Sequence, residues 1–167
     1  MDPINQEIIN IKFNKTHWEI FGKKKKFKEK NIIISFHFKQ SKKIAKKYLN
    51  KKFLDLKVSM DPNITLLVKQ KSKKRIPISS IKFKNKIISW AANENSKKRF
   101  SVNENYWTIQ TSDSYSKKII NLFKKKRFYY SKQIVKEFSK ILNLNYRDFK
   151  VFKIHGWKYS SNKTYSG

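Results

Sequence analysis

Hydrophobic and polar residues alternate with a period of two along the first part of the chain, which is typical of half-buried β-strands. The stretches EIINIKFN (7–14) and HWEIF (17–21) follow this pattern and are predicted to be strands. The charged stretch GKKKKFKEK (22–30) predicts a solvent-facing turn between strands. The stretch NIIISF (31–36) contains a continuous apolar run, which favours a strand buried on both faces.

Four further strands are predicted in the remainder of the chain. They are DPNITLLVKQ (61–70), entered through a turn, KIISWAAN (86–93), NYWTIQTS (105–112) and DFKVFKIHGWKYS (148–160). The polar stretch ENSKKRFSVNE predicts a turn between the second and the third of these. Because side chains alternate between the faces of a strand, two groups should each share one face. These groups are Ile88, Trp90 and Ala92, and His155, Trp157 and Tyr159.

Three helices are predicted from apolar residues at helical spacing. Ser41 and Ser112 are candidate N-caps of the first two, and Ser131 marks the start of the third. The apolar stripes are Ile44, Ala45, Tyr48 and Leu49; Tyr115, Ile119 and Leu122; and Ile134, Val135, Phe138, Ile141 and Leu142. Strands with helices packed on one side predict the α+β class, with a mixed or antiparallel sheet. Residues 1–167 are expected to form a single domain or part of a larger one.

Composition narrows the class of protein. Hydrophobic residues make up 38% of the 167 and aromatic residues 15%, which is enough for a packed core. The absence of cysteine excludes a disulfide framework, a thiolate metal site and a cysteine nucleophile. No apolar stretch approaches the length of a membrane span, and the first residues do not follow the pattern of a signal peptide. A cytoplasmic protein without membrane contact is therefore expected.

The charge of the chain has two explanations. Lys and Arg number 41 against 11 Asp and Glu, a formal charge of +30 that favours a polyanionic partner such as nucleic acid. Only four of the 41 are arginine, however, and nucleic-acid sites rely on arginine for bidentate contacts. Lysine, asparagine, isoleucine, phenylalanine and tyrosine are also the residues that A/T-rich codons specify. Trp90-Ala91-Ala92 and Gly156-Trp157 are not explained by that bias.

The familiar catalytic patterns are missing from the sequence. Glycine occurs only at positions 22, 156 and 167, so neither G-x-G-x-x-G nor a P-loop is possible. The three histidines lack ligand partners at metal spacing, so no metal site is predicted and the catalytic residues stay unknown. The aromatic face of the last predicted strand is either packed under a helix or turned towards a ligand. Basic residues interleaved with aromatic ones could also bind a single nucleic-acid strand.

Three segments together resemble a known family. They are ISWAANENSKKR, YWTIQTSDSYS and FKIHGWKYS, with a long helix before the last. In order and spacing they resemble the C-terminal half of the renalase-like FAD-dependent oxidoreductases, relatives of the flavin amine oxidases. The resemblance covers about residues 6–160 and is strongest from 86 onward; upstream, NIIISFHFKQSKKIAKKYL resembles the family's strand, turn and helix. The family's glycine-rich FAD-binding turn has no counterpart among these residues.

The resemblance implies a fragment or split part of a flavin oxidoreductase. Family members pass a hydride from substrate to FAD, and the protein shapes a pocket over the flavin ring. It implies that the chain contributes the substrate pocket, is inactive alone, and needs a separate FAD-binding chain. The candidate pocket residues are Trp90, Asn93, Arg99, Trp107, His155, Trp157 and Tyr159. The alternatives are a small basic nucleic-acid-binding protein and a degraded gene product with no independent function.

Overall fold

A computed structural model describes residues 5–71, 76–98 and 104–164, with side chains as far as Ser160. By its contacts the chain divides into two compact units, with the boundary between Val58 and Ser59. The expectation of a single domain, or of part of a larger one, stays a prediction.

The first unit contains a three-stranded antiparallel sheet in the order β1-β2-β3. Its strands are β1 (Ile8–Asn14), β2 (His17–Gly22) and β3 (Lys26–Glu29). The first two confirm the prediction from alternation. The prediction of a turn throughout 22–30 was wrong, because the second half of that stretch pairs with β2 and places Phe27 opposite Ile20.

A charge pair explains how a lysine-rich strand is accommodated beside β2. The Nζ of Lys26 lies 2.7 Å from Oε1 of Glu19, a carboxylate that is mostly buried in the sheet. The hydrogen bond from Lys26 holds the pKa of Glu19 below its ordinary value of 4.5, against the opposing effect of burial. The lysine therefore satisfies an acidic group rather than merely facing solvent.

Short helices follow in the first unit: α1 (Phe38–Ala45), a 3-10 helix (Lys46–Tyr48) and α2 (Lys51–Asp55). The predicted N-cap Ser41 was wrong, since α1 begins earlier and is capped by the ring of His37. The Oγ of Ser41 instead donates to the carbonyl of Phe36, inside the first turns. The predicted strand at 31–36 was also wrong, because this segment forms neither a strand nor a helix.

The second unit is built on a five-stranded sheet in the order β5-β6-β7-β4-β8. The strands are β4 (Val58–Gln70), β5 (Ser80–Lys82), β6 (Ile88–Asn93), β7 (Asn105–Thr111) and β8 (Phe149–Thr164). The pairings of β5 with β6, β6 with β7, and β7 with β4 are antiparallel. Helices α3 (Asp113–Phe123) and α4 (Arg127–Ile141) precede β8. These elements confirm the α+β class.

The two helices cover one face of this sheet, as predicted. The buried side chains of the sheet occupy alternate positions along β4 and β7. They pack against buried apolar side chains of α3 and α4. The sheet contributes Ile64, Leu66, Val68, Trp107 and Ile109, and the helices contribute Ile119, Phe123, Ile134, Val135 and Phe138. Ser112 caps α3 as predicted, by accepting from the N–H of Tyr115. The predicted start of α4 at Ser131 was wrong, since α4 begins at Arg127 and Ser131 donates to the carbonyl of Phe128 within it.

A bulge in β6 changes which residues share a face. Ile88 pairs with Thr111, but Trp90 pairs with Gln110, so one extra residue, Ser89, is accommodated between them. The Oγ of Ser89 donates to the carbonyl of Thr111 across the bulge, at 2.9 Å. The prediction that Ile88, Trp90 and Ala92 share one face was therefore wrong. Ile88 lies on the helix-covered side, and Trp90 lies on the opposite side.

Gly156 allows β8 to approach α3 closely. A Cβ at this position would lie 3.0 Å from Cδ1 of Phe123 and 3.2 Å from Cδ1 of Ile120. Both are tighter than ordinary van der Waals contact, and Phe123 is fully buried, so it has little room to move. Packing against α3 therefore accounts for the glycine at position 156, which A/T-rich codon bias does not explain.

We expect Gly156→Ala to lower the free energy of unfolding by about 1 to 2 kcal/mol, because the added methyl group overpacks the contact with Phe123. Urea denaturation followed by circular dichroism measures the change. Lys153→Ala, at an exposed position of the same strand, is the control and should shift stability by less than about 0.5 kcal/mol. Equal effects of the two substitutions would contradict the packing explanation.

Candidate functional site

The face of the five-stranded sheet that the helices leave uncovered carries most of the aromatic candidates. We call it the open face and define it by Trp90, Tyr106, Phe152, His155 and Trp157. The neighbours Ala91 and Trp107 point towards the helices and are fully buried. Because successive side chains alternate, Trp90 and Tyr106 point the other way, and both are half-buried.

The strand β8 contributes the other part of the open face. Gly156 faces α3, so the flanking side chains of His155 and Trp157 lie on the opposite side of the strand. Their rings are 4.1 Å apart, which confirms that these two share a face, and Trp157 is 49% exposed. Tyr159 follows at the next alternate position, half-buried, with the Nζ of Lys158 5.9 Å from its ring.

Two residues of the open face were not among the sequence candidates. Tyr106 and Phe152 pack edge to face, with ring centroids 6.0 Å apart. Alternation within β7 could have indicated Tyr106, since it immediately precedes Trp107 and must take the opposite face. Phe152 had no such signal, because Val151 and Ile154 both pack against the core and break the simple alternation of β8.

Ion pairs and hydrogen bonds lie beside these aromatic rings. Lys69, opposite Tyr106 in the register of β4 and β7, pairs with Glu104 at 2.5 Å. The hydrogen bond to Glu104 raises the pKa of Lys69, so the lysine stays charged at neutral pH. The Oγ1 of Thr108 donates to Glu94 at 2.7 Å. The open face therefore offers apolar rings bordered by polar groups that are already satisfied.

Trp107 belongs to the core and not to the open face. Its side chain is 0% exposed and its ring packs edge to face on Phe138, with centroids 5.2 Å apart. Its Nε1 donates to Oε1 of Gln70 at 3.0 Å, a buried hydrogen bond between two neighbouring strands. The sheet separates Trp107 from Trp90, Trp157 and the other aromatic residues that face the opposite way.

Asn93 organises the turn after β6. Its Oδ1 accepts from the N–H of Asn95, capping a 3-10 helix (Glu94–Lys97), and its Nδ2 donates to the carbonyl of Ile76. Asn95, which the sequence did not single out, bonds the carbonyl of Glu104 and the N–H of Tyr106 and so joins the turn to β7. Asparagine is frequent in such turns, which is the signal that could have found it. Arg99 lies outside the described residues.

The open face is too wide for its aromatic residues to form one cluster. Strands β7 and β4 lie between β6 and β8, so Trp90 and the pair of His155 and Trp157 are separated by about 14 Å, three strand spacings. The face can therefore contact an extended flat ligand by stacking and apolar contact.

The described residues hold few groups that could perform chemistry. Among residues 5–71, 76–98 and 104–164, no group of three His, Asp or Glu side chains lies close enough to hold a metal ion. In the same ranges, no helix is long and apolar enough to cross a membrane. His155 is the histidine among the residues that define the open face, and the ring beside it is that of a tryptophan rather than a nucleophile.

Comparisons with solved structures identify a similar fold. One is a protein from Exiguobacterium sp. 255-15, provisionally described as a protoporphyrinogen oxidase, with a TM-score of 0.51 and 7% identity over 95% of this chain and 34% of that chain. Another is the PF1083 protein from Pyrococcus furiosus, with a TM-score of 0.49 and 10% identity over 86% of this chain and 35% of that chain. The chain thus spans about a third of the length of these proteins. No family model matches the chain, and no curated protein matches it.

The likeness to the Exiguobacterium protein shows the fold, an α+β arrangement of antiparallel sheets and helices that matches part of that structure. The similarity extends over nearly the whole of this chain but only a third of the other. It therefore agrees with the resemblance read from the sequence at the level of architecture.

Substitutions of Trp107 and Trp157 should distinguish a position in the core from a position on the open face. Trp107→Phe removes the donor to Gln70, leaves a buried oxygen without its partner, and opens a void. It should therefore lower the free energy of unfolding by about 2 to 4 kcal/mol. Trp157→Phe keeps an aromatic ring at an exposed position and should cost less than about 0.5 kcal/mol. Thermal and urea unfolding of both variants measures the difference, and similar losses would contradict the placement of Trp157.

Proposed function

We propose that this chain is the substrate-side part of a flavin-dependent oxidoreductase of the renalase-like amine oxidase type. In this proposal the open face forms one wall of the pocket over the flavin ring. The observation that carries it is the row of half-exposed aromatic side chains on the face opposite the helices. The fold similarity to a third of a protein provisionally described as a protoporphyrinogen oxidase supports it.

The chemistry of the open face suits the ring system of a flavin and not its phosphates. A flat, largely apolar ring gains from contact with Trp90 and Trp157 and from exclusion of water. A pyrophosphate needs exposed backbone N–H groups at a glycine-rich turn and a helix N-terminus. Here α3 begins with Asp113 in its first turn, which repels an anion, and the sequence has no glycine-rich turn.

In this proposal FAD is held by a separate chain, and this chain binds and orients the substrate. When bound, the flavin would accept the hydride. The residues of this chain would shape the pocket, with Trp90 and Trp157 contacting different parts of the ring system or substrate and His155 beside Trp157. In this proposal the chain is inactive alone, and its partners are an FAD-binding chain and a small-molecule substrate.

Co-expression with the neighbouring reading frame tests the proposal. That frame should encode a strand followed by G-x-G-x-x-G, and the purified complex should contain FAD, measured by its absorbance and by release on denaturation. Trp157→Ala should weaken FAD or substrate binding by about tenfold, through loss of an aromatic contact. Phe128→Ala, at an exposed position of α4, is the control and should change nothing. A complex without flavin, or equal effects of the two variants, would refute the proposal.

A second candidate function rests on the corner where α3 meets α4. Phe128 is 92% exposed there, with Tyr129 also exposed, and Lys124, Lys125, Lys126 and Arg127 precede them. Exposed rings beside cationic side chains are the elements of a single-strand nucleic-acid site. The formal charge of +30 would strengthen such binding.

Fluorescence anisotropy with a labelled single-stranded oligonucleotide distinguishes the two functions. Under the flavin proposal, we expect binding that is weak, collapses between about 50 and 200 mM salt, and is the same for Phe128→Ala, because dispersed lysines supply all of it. A dedicated nucleic-acid site would instead retain binding at the higher salt and lose about tenfold or more in affinity with Phe128→Ala. The second result would favour the nucleic-acid function.

A further inference from the structure

Gln110, on β7, has a polar side chain on the open face that the fold does not use. The neighbouring residues Ile109 and Thr111 are fully buried on the helix-covered side, so Gln110 points to the opposite side. It is half-buried, and within the part of the chain that the structure describes its side-chain amide makes no hydrogen bond. By contrast, the amide oxygen of Gln70, on the neighbouring strand β4, accepts from Trp107. The amide of Gln110 therefore has its donors and its acceptor available for a ligand.

The polar side chains around Gln110 are engaged with other partners. Thr65 is opposite Gln110 in the register of β4 and β7, and its hydroxyl donates to Oδ1 of Asn63 at 3.2 Å. The hydroxyl of Thr108, two residues earlier on the same strand, donates to Glu94 at 2.7 Å. Both hydroxyl protons are thus committed elsewhere. The amide of Gln110 differs in this respect from the other polar groups on the open face.

The bulge in β6 brings Trp90 beside this amide. Ile88 lies on the helix-covered side, and regular alternation would have placed Trp90 on that side with it. Because Ser89 is the extra residue, Trp90 instead becomes the register partner of Gln110 on the open face. The hydroxyl of Ser89 donates to the carbonyl of Thr111 and stabilises the bulge. Bulges often redirect a side chain next to a functional site, and this one pairs an aromatic ring with an amide.

The spacing of Trp90 and Gln110 indicates which kind of ligand they would bind. Side chains directly opposite each other on antiparallel strands have Cβ atoms about 5 Å apart. A ring stacked on Trp90 would therefore place its edge over Gln110. A carboxamide offers a donor and an acceptor side by side, so its complement is a ring edge that carries an N–H next to a C=O. The pyrimidine ring of a flavin has such an edge, an imide N–H between two carbonyls, and its dimethylbenzene ring does not.

We infer that Gln110 recognises the imide edge of the flavin's pyrimidine ring, while Trp90 stacks on the ring. This inference rests on the proposed function, in which the open face forms a wall of the flavin pocket. It adds an orientation, because it assigns the side of the open face formed by β6 and β7 to the flavin. The aromatic pair of His155 and Trp157, on β8, is left for the substrate.

Titration of the chain with lumiflavin, a flavin ring without the phosphate-bearing side chain, tests the inference. Stacking on tryptophan quenches flavin fluorescence, so the quenching gives the Kd. Methylation of the ring at N3 removes the imide N–H, and the wild-type chain should bind N3-methyl-lumiflavin about tenfold more weakly than lumiflavin. Gln110→Met keeps the length of the side chain and removes the amide. It should weaken lumiflavin binding about tenfold and change the Kd of the methylated ring by less than about twofold.

Two variants serve as matched comparisons. Gln40→Met makes the same substitution at an exposed position of α1 and should leave both Kd values unchanged. Trp90→Leu should weaken both probes by a similar factor of about ten, since stacking does not require the imide N–H. Because the amide of Gln110 makes no hydrogen bond within the described chain, Gln110→Met should leave the midpoint of urea unfolding unchanged.

Three results would overturn the inference. The first is the absence of saturable quenching by the wild-type chain, and the second is an equal loss of both probes in Gln110→Met. The third is displacement of lumiflavin by benzamide, a simple aromatic amide, at a lower concentration than by lumiflavin itself. That displacement, if lost in Gln110→Met, would assign the amide to the substrate instead of the flavin.

The outcomes also separate this inference from the proposed function. A co-expressed complex that contains FAD, together with a Gln110→Met chain that binds lumiflavin as the wild type does, would support the flavin function and overturn the role of Gln110. Selective binding of lumiflavin through Gln110, together with a co-expressed complex that lacks flavin, would support the recognition of the imide edge and refute the split oxidoreductase.

Discussion

The arrangement of the second unit depends on the packing of α3 and α4 against one face of its sheet. Leu66, Val68, Trp107 and Ile109 occupy alternate positions, so they meet the helices together and exclude water together. The hydrogen bond from Trp107 to Gln70 fixes a polar pair within this layer and ties β7 to β4. Because both helices pack on one face of the sheet, the strand side chains at the intervening positions point to the opposite face, which the helices do not cover. The open face is thus a consequence of how the core is built.

The α+β class and six of the strands, β1, β2, β4, β6, β7 and β8, could be predicted from the sequence, because alternation and amphipathic stripes report directly on burial. The face of Trp90 could not, because a bulge reverses the alternation at Ser89 and depends on the pairing of β6 with β7. Strand β3 could not be predicted for a related reason. The charge of Lys26 is balanced by Glu19 on the neighbouring strand, and this pairing is not visible in the sequence. Among the site candidates, alternation correctly joined His155 and Trp157. It could not show that Trp107 faces the core.

The distribution of acidic residues helps to interpret the charge. Many of the few carboxylates have structural partners: Glu19 binds Lys26, Glu104 binds Lys69, and the buried Asp61 binds Lys117. Glu137, on α4, accepts from Asn85. Acidic residues are thus present where folding requires them, while exposed lysines occur in all four α-helices and in β1, β3, β5 and β8. This distribution fits a compositional bias acting on solvent-facing positions, where a lysine costs little stability.

Aromatic residues at half-exposed positions are a stronger guide to function than the lysines. An exposed lysine is well hydrated and needs no partner, whereas Trp157 leaves about half of its surface in water without a covering layer in its own unit. Tryptophan is also a residue that A/T-rich codons do not favour, so its presence on an open face is not explained by composition. Gly156, beside it, is accounted for by the close approach to Phe123. Packing therefore explains the glycine of the Gly156-Trp157 pair but not the tryptophan, and it is the tryptophan that points to a ligand or partner on the open face.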